Sequence, residues 1–343
     1  MFNKSRGICI GALVVLLVSL ALPVQAQLFN KPKKLASSEA AFTAALVSYR
    51  NRDYALTVRQ LAPLAKKNYA PAQMQLAYMY EYGIGVPKNL TEANKLYKKL
   101  MIGYLAAAES GNVEARYRIG QLHYGGKGVP ENIPEAMRWY LLAAEQGHLL
   151  SQYKLALLYD SGEKAPHDPA AAMHWYTKAA EQGHTSSQLF LAIKYYRGRD
   201  TVQDYASAAK WFLKAAESGN AYAQSTLGFM YASGQGVAEN KQQALDWYRK
   251  GAEQGDKDSQ YDLGMKLSKG DGAPANRTEA AQWFQKAAAQ GQMAAQCELA
   301  QMYVKGQGVG RDQVLAYAWF NVAIMSGHYP ATKPRDALAK TMT

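Results

Sequence analysis

Residues 221–256 read AYAQSTLGFMYASGQGVAENKQQALDWYRKGAEQGD, and variants of this 36-residue segment recur along most of the chain. Glycines repeat with the same spacing at positions 111, 147, 183, 219, 255, 291 and 327. Every Trp lies on this period and precedes an aromatic residue: Trp139-Tyr140, Trp175-Tyr176, Trp211-Phe212, Trp247-Tyr248, Trp283-Phe284 and Trp319-Phe320. A constant period of this size indicates a repeat architecture with one supersecondary unit per repeat.

The second half of each repeat has the spacing of a helix. Ala136, Tyr140 and Ala143 follow each other at i, i+4 and i+7, which places them on one stripe. Small alanines beside a large ring permit close helix approach, so this stripe is predicted to be a packing surface. An Asp or Asn precedes each such helix and is predicted to be its N-cap: Asp53, Asn89, Asn132, Asp168, Asp204, Asn240, Asn276 and Asp312. Four have Glu or Gln three residues later, which predicts capping boxes: Glu92, Glu135, Gln243 and Glu279.

The first half of each repeat is predicted to be another helix, and a glycine-rich loop follows it. An Ala/Ser-Gln pair such as Ala223-Gln224 is followed by Leu and then by Ala or Gly. Loops such as Gly234-Gln235-Gly236 supply the positive backbone dihedrals of a turn. They are not expected to bind phosphate, because a dinucleotide site needs a βαβ unit and no segment has a strand pattern.

The combined pattern A-Q-x-x-L-G-x-x-Y, then G-x-G-V-x-x-[DN]-x-x-x-A-x-x-W-Y-x-x-A-A-x-x-G, resembles the Sel-one-like repeat, a relative of the tetratricopeptide repeat. The resemblance covers seven units over residues 70–328. It implies an all-α fold, a right-handed α-solenoid of tandem helix-turn-helix repeats. Outside those units we predict a basic linker at 27–38, a degenerate helical hairpin at 39–69 and a C-terminal capping segment at 329–343.

Two repeats depart from the pattern. Asn89 and Gly111 are 22 residues apart, whereas Asn132 and Gly147 are 15 apart. An insertion of seven residues adds about two helical turns, so a longer second helix is expected there. Elsewhere, residues 198–200 read Gly-Arg-Asp in place of Gly-x-Gly, so the conformation of that loop is not determined by the pattern.

Residues 1–26 have the features of a cleavable signal peptide. Lys4 and Arg6 precede an apolar run, and Val24-Gln25-Ala26 fits a small-residue cleavage site. Cleavage near Ala26 predicts a periplasmic or secreted protein, and an uncleaved N-terminal anchor is the competing interpretation. No later stretch approaches the length of a transmembrane helix, so no transmembrane segment is expected in the mature chain. Cys297 is the one cysteine after cleavage, so an intramolecular disulfide is not expected.

First helices line the concave side of a helical-hairpin solenoid, where extended ligands bind. Two apolar and aromatic columns of the first helices are predicted to point into that concave groove and bind a protein or peptide partner. The first column is Met74, Tyr117, Tyr153, Leu189, Ser225, Tyr261 and Cys297, and the second is Tyr78, Gln121, Leu157, Ile193, Phe229, Met265 and Gln301; the large apolar and Tyr members are the predicted contacts. The alternative, which stays open here, is that packing between repeats covers these side chains.

Positive charge concentrates near the N-terminal end. The chain carries a net charge of +12, and residues 27–100 contain 12 Lys and Arg but only 4 Asp and Glu. A basic surface of Lys66, Lys67, Lys95, Lys98 and Lys99 is therefore the alternative binding site, for an acidic envelope polymer or a membrane surface. A merely solvated face explains the same charges. No nucleic-acid partner is expected, because no binding motif accompanies them.

We predict a binding protein and not an enzyme. The chain lacks G-x-S-x-G, H-E-x-x-H, Walker and paired-Cys motifs, so no catalytic, cofactor-binding or metal-binding residues are assigned. The resemblance implies an adaptor or regulatory role in the envelope or at a host surface. Some exported relatives act on β-lactams, but they carry a Cys pair in each repeat that this chain does not have. An enzyme acting on β-lactams or peptidoglycan is thus the third and weakest hypothesis.

Overall fold

The computed structural model describes residues 32–342, and every regular element in that range is helical. The helices are α1 (Pro32–Arg50), α2 (Tyr54–Lys66), α3 (Ala70–Tyr82), α4 (Leu90–Glu109), α5 (Val113–Tyr124), α6 (Ile133–Ala144), α7 (Leu149–Ser161), α8 (Pro169–Glu181), α9 (Thr185–Arg197), α10 (Tyr205–Glu217), α11 (Ala221–Ser233), α12 (Lys241–Glu253), α13 (Lys257–Lys269), α14 (Arg277–Ala289), α15 (Met293–Lys305), α16 (Gln313–Met325) and α17 (Thr332–Ala339). A short 3₁₀ helix, Tyr329–Ala331, precedes α17. No helix in the described part of the chain is long and apolar enough to cross a membrane.

The chain divides into two compact units, Met1–Trp175 and Tyr176–Thr343. In the first unit, each helix from α1 to α7 packs against the next one in sequence. In the second unit, the same is true from α9 to α17. The predicted all-α fold of tandem helix-turn-helix repeats is confirmed, with α3, α5, α7, α9, α11, α13 and α15 as first helices and the even-numbered helices from α4 to α16 as second helices.

The core of a repeat is an aromatic ring on a small residue. The aromatic residue that follows each Trp is at most 3% exposed in all six repeats. A Cβ built on Gly264 of α13 would lie 2.7 Å from the ring of Phe284 on α14. The equivalent positions hold only Gly or Ala, which are Gly120, Ala156, Ala192, Gly228 and Ala300. The predicted packing stripe is therefore correct, and it requires a small partner on the first helix.

All eight predicted N-caps accept a hydrogen bond from the first turn of their helix. The predicted capping boxes are wrong, because the backbone N–H of the cap is already used. The N–H of Asn132 donates to the His123 carbonyl of the first helix, and that of Asn276 donates to the Leu267 carbonyl. The Glu three residues later bonds elsewhere, as Glu135 does with Trp139 Nε1.

A buried glutamine joins each repeat to the preceding one. Gln224 is 4% exposed, and its Nε2 donates to the carbonyl of Ala216 at 3.0 Å, near the C-terminal end of α10. The same bond, between 3.0 and 3.1 Å, is made by Gln73, Gln152, Gln188, Gln260 and Gln296. The Ala216 carbonyl also accepts the N–H of Gly219 at 3.0 Å, so the last turn of α10 is bonded both to its own turn and to the next repeat. In the one exception, Arg116 points a guanidinium nitrogen at the Ala108 carbonyl from 3.5 Å.

The loops bring consecutive repeats into backbone contact. Gly236 has φ of +75°, and a Cβ there would overlap the carbonyl of Tyr205, the first residue of α10. A Cβ on Gly272 would overlap Lys241, the first residue of α12, in the same way. The second glycine of the loop is therefore required both for its dihedral angle and for the close approach.

The structure shows how the chain accommodates both departures from the repeat pattern, the insertion before Gly111 and the Gly-Arg-Asp loop. Helix α4 has 20 residues, compared with 13 in α10, which confirms the longer second helix. Gly128 approaches the backbone of Tyr97, so the additional turns lie at the N-terminal end of α4. In the irregular loop, Asp200 adopts φ of +63°, and its carboxylate lies 2.8 Å from Lys194 Nζ. Asp thus takes the left-handed conformation that glycine has elsewhere, and an ion pair holds its side chain.

Helices lie near both ends of the described residues, α1 at the N-terminal end and α17 at the C-terminal end. Helix α1 begins at Pro32, so the predicted linker at 27–38 is wrong for residues 32–38, which are helical. The predicted signal peptide lies outside the described residues. At the other end, Leu338 of α17 is buried on a cluster that includes Phe320 and Ala331, as a capping segment requires.

We predict that Gln224→Met destabilises the second unit by about 1–2 kcal/mol, because the Ala216 carbonyl loses one of its two hydrogen bonds and the Gln254 amide loses its acceptor on Gln224. Urea unfolding followed by circular dichroism measures the change. The matched control is Gln282→Met, at an exposed position of α14, where no loss is expected. Equal stability of the two variants would show that the glutamine bond does not join the repeats.

Candidate binding cavity

A cavity of ≈ 250 Å³ lies in the first unit where α3, α5 and α7 are neighbours. Each of these first helices contributes to its lining. The lining residues are Met74, Gln75, Tyr78, Tyr97, Arg118, Gln121, Leu122, Tyr124, Gly125, Lys127, Tyr140 and Lys154. The combination of rings, a methionine and three cationic side chains suits an organic ligand that carries negative charge.

Arg118 is held at the cavity wall by a buried network. Its Nε lies 2.6 Å from Glu114 Oε1, and both side chains are at most 12% exposed. The other carboxylate oxygen lies 3.1 Å from His148 Nε2. Burial alone would raise the pKa of Glu114, but the hydrogen bond from His148 and the charge of Arg118 together lower it. Glu114 is therefore ionised at neutral pH, and it fixes the guanidinium in place.

Further hydrogen bonds orient the network. Ser151 donates its backbone N–H to His148 Nδ1, so this histidine is the N-cap of α7 and its Nε2 carries the proton toward Glu114. Arg118 Nη1 donates to Gln121 Oε1 at 2.9 Å, and Gln121 Nε2 donates to the Tyr117 hydroxyl at 2.7 Å. The guanidinium is thus preorganised from two sides.

A second ion pair lies on another side of the cavity. Lys127 Nζ is 3.0 Å from Glu81 Oε2, and the Tyr97 hydroxyl donates to the same carboxylate oxygen at 2.7 Å. Lys127 also lies over the Tyr97 ring, 5.2 Å from its centroid. Burial and the hydrogen bond to Glu81 raise the pKa of Tyr97, so its hydroxyl stays protonated.

Two lining residues have polar groups without a partner in the described part of the chain. Lys154 is partly buried, and this burial lowers the pKa of its ammonium group. It makes no ion pair or hydrogen bond with any described residue, whereas Arg118 and Lys127 each have a carboxylate. Gln75 is 1% exposed, and its Nε2 is buried with no acceptor. Such groups are costly to bury, so they mark a place where a ligand would supply the missing acceptors.

The predicted groove residues have different environments. Met74 and Tyr78 line the cavity. The prediction is wrong for Tyr117, which is 2% exposed and packs against Tyr140 and His148, because the ring points into the repeat core. Phe229 is 49% exposed. The remaining six side chains are partly exposed: Tyr153, Leu157, Leu189, Ile193, Tyr261 and Met265.

Sequence reasoning placed Gln121 in a groove column but missed three other polar residues of the cavity. Gln75, Arg118 and Lys154 each follow a predicted groove residue by one position and so form a column of their own. The same column continues in the second unit as Phe190, Thr226, Asp262 and Glu298. The sequence did contain a signal: this column holds charged residues in some repeats, such as Lys154, and an apolar residue, Phe190, in the next repeat.

The five lysines of the predicted basic surface are exposed. Lys66 and Lys67 lie at the C-terminal end of α2, and Lys95, Lys98 and Lys99 lie on α4. Lys95 pairs with Glu92 at 2.7 Å. Lys99 borders a separate cavity of ≈ 440 Å³ next to Ile102, whose side chain is 70% exposed.

The described residues were compared with two kinds of reactive site, a metal-ligand cluster and a nucleophilic thiol. No group of His, Cys, Asp or Glu there could hold a metal ion. Cys297 is buried, and burial raises the pKa of its thiol to about 11, so the reactive thiolate is not formed at neutral pH.

Comparisons with known proteins identify the repeat. Seven segments match the family model described as Sel1 repeat, at residues 70–100, 113–148, 149–184, 185–220, 221–256, 257–292 and 294–328. The human protein sel-1 homolog 2 is 32% identical over 95 residues, which is 28% of this chain and 13% of that protein. The chain thus spans only a small part of this curated relative.

Two solved structures are similar over most of the chain. A Sel1 repeat protein from Oxalobacter formigenes has a TM-score of 0.63 and 28% identity, and the match covers 98% of this chain and 95% of that one. A protective antigen of uropathogenic Escherichia coli with an SLR fold has a TM-score of 0.55 and 30% identity, with 82% and 67% covered.

In the second unit, we predict that Asp262→Asn stabilises the protein at pH 8 by up to about 2 kcal/mol. Burial and the charge of Asp258 raise the pKa of Asp262 to about 6, so the folded protein binds this proton more tightly than the unfolded chain, where the pKa is about 3.9. The wild type therefore loses stability as the pH rises through 4 to 6, and the variant does not.

Urea unfolding at pH 4 and pH 8 tests this prediction, with the exposed Asp246→Asn as the control. The difference between Asp262→Asn and the wild type should vanish at pH 4, where the wild-type carboxyl is protonated. A gain of the same size at both pH values would refute the assignment.

Proposed function

The chain belongs to the Sel1 repeat family, and from this premise we propose that it is an exported scaffold that binds a protein or peptide through the surface of its first helices. Sel1 repeats mediate protein–protein interaction. The observation that carries the proposal is the cavity between α3, α5 and α7, where partly exposed rings surround polar groups without partners. Buried polar groups of this kind give specificity, and the aromatic side chains supply contact area.

The predicted concave groove remains part of this proposal. The exposed ring of Phe229 in the second unit belongs to the same repeat column as Tyr78. An extended partner that follows successive first helices would contact one or two such side chains per repeat. The proposed role is that of an adaptor or regulator in the envelope or at a host surface, and one similar solved structure is that of a protective antigen of uropathogenic Escherichia coli. We propose no enzymatic activity.

A second candidate uses the basic surface. Lys66, Lys67, Lys98 and Lys99 are exposed and form no ion pair in the described part of the chain. Such a surface attracts an acidic envelope polymer or a membrane with anionic lipids, and salt weakens that attraction.

Site-specific crosslinking in cells separates the two candidates. A photoreactive phenylalanine analogue at Tyr78 or Phe229 should give a reproducible protein adduct, because these rings lie on the proposed binding surface. The matched control is the analogue at Val202, an 85% exposed loop position outside the columns. Adducts that form equally well from Val202, or only from an analogue placed at Lys98, would contradict binding by the first helices.

Export is tested on the protein recovered from cells. We expect a mature chain that begins at Gln27 and is found in the periplasmic or secreted fraction, because the residues before it have the pattern of a cleaved signal peptide. N-terminal sequencing of the recovered protein measures this directly, and Ala26→Tyr should block cleavage while Phe29→Tyr should not. A mature protein that retains residues 1–26 would contradict the prediction.

A further inference from the structure

We propose that the cavity between α3, α5 and α7 is a carboxylate-binding subsite that receives one acidic group of a bound peptide, with Lys154 and Arg118 as its cationic side chains. The inference rests on the proposed peptide-binding function and makes it specific. It assigns a chemical class of ligand to a defined set of residues.

The charge balance of the cavity indicates an anion with a single charge. Three cationic side chains line it, and two carboxylates lie beside them. Glu114 pairs with Arg118, and Glu81 pairs with Lys127. Both ring nitrogens of His148 are used within the network, one by Glu114 and the other by the Ser151 amide. Lys154 remains without a counter-charge among the described residues, and one carboxylate would provide it.

The donors available match a carboxylate group. Gln75 Nε2 is buried and has no acceptor, and it belongs to a side chain that lines the cavity. Arg118 offers guanidinium N–H groups beyond the single one that Gln121 accepts. A carboxylate accepts several such bonds at once, and bonds to a charged acceptor are stronger than those between neutral groups. The lysine, arginine and amide donors therefore complement an acceptor-only ligand.

The rest of the lining favours a carboxylate attached to an organic residue. Met74, Tyr78 and Leu122 provide apolar surface on the same walls. The Tyr78 ring packs against that of Tyr82, with 4.6 Å between the centroids and 43° between the ring planes. A small inorganic ion would leave that surface uncovered, whereas the last residue of a peptide, or an Asp or Glu within it, would cover it.

The stability of a Lys154 variant separates a ligand-binding role of this lysine from a structural one. A lysine that stabilises the fold has a partner in the folded protein, and its removal is destabilising. A buried lysine without a partner opposes folding, because its charge is desolvated with nothing in return. Lys154→Met is therefore expected to keep or increase stability while weakening ligand binding.

Three pools of dye-labelled octapeptides of randomised sequence test the inference by fluorescence anisotropy with the full chain. One pool ends in a free carboxylate, the second is amidated at its C-terminus, and the third ends in a free carboxylate but contains no Asp or Glu. Loss of binding on amidation identifies the terminal carboxylate as the ligand, and loss only in the third pool identifies an acidic side chain. Both results support the subsite.

Variants connect the binding to the cavity. Lys154→Met should weaken binding of the responsive pool at least tenfold, and Lys154→Arg should restore most of it, since the charge returns. Lys98→Met, on the basic surface, is the matched control and should bind as the wild type does. Urea unfolding of Lys154→Met should show a midpoint equal to or above that of the wild type.

The outcomes that overturn the inference are distinct from those that overturn the proposed function. Equal binding of all three pools, or equal binding by Lys154→Met and wild type, overturns the carboxylate subsite and leaves the peptide-binding scaffold standing. A loss of binding in Lys98→Met instead assigns the anion to the basic surface and overturns the subsite. If no pool binds and Tyr78 gives no adduct in cells, both proposals are wrong.

Discussion

The hydrogen bond from a buried first-helix glutamine to the end of the preceding second helix is the interaction on which the array depends. It joins one repeat to the one before it at a carbonyl of the last helical turn, which also accepts the N–H of the repeat glycine, as with Gly219 and Gly255. Because a repeat cannot bury its apolar face alone, the position of each repeat must be specified by its neighbour. The bond and the close approach of the loop glycines together set that position.

The cavity depends on this relative position of consecutive repeats. Successive first helices lie side by side, so residues 75, 118 and 154, one per helix, line a single cavity. The repeat that contributes Arg118 is also the one in which Arg116 replaces the joining glutamine, with a longer contact to Ala108. It directly follows the lengthened α4, whose Tyr97 supplies part of the cavity wall. The lengthened α4 and the exchanged glutamine therefore both lie in the repeats that line the cavity, whereas the irregular loop at Asp200 lies in the second unit.

Much of the scaffold was predictable from local patterns. The caps, the aromatic stripe and the lengthened α4 each follow from residues whose spacing reflects one helix or one loop. The capping boxes were wrong because the amide of Asn132 bonds to the carbonyl of His123, a contact between two helices that local spacing does not report. The start of α1 at Pro32 was missed for a related reason, since its residues do not share the repeat pattern.

The sequence by itself determined the repeat length, the two helices per repeat, the side of each second helix that is buried, and the concentration of positive charge near one end. These properties depend on the residue types and their spacing within about 36 positions. Only the tertiary structure decided that Tyr117 is buried in the core, that Arg118 and Glu114 form a pair, and that Lys154 has no partner in the described residues. Burial and pairing depend on side chains from different repeats, and their relative position follows from packing, which the spacing within one repeat does not specify.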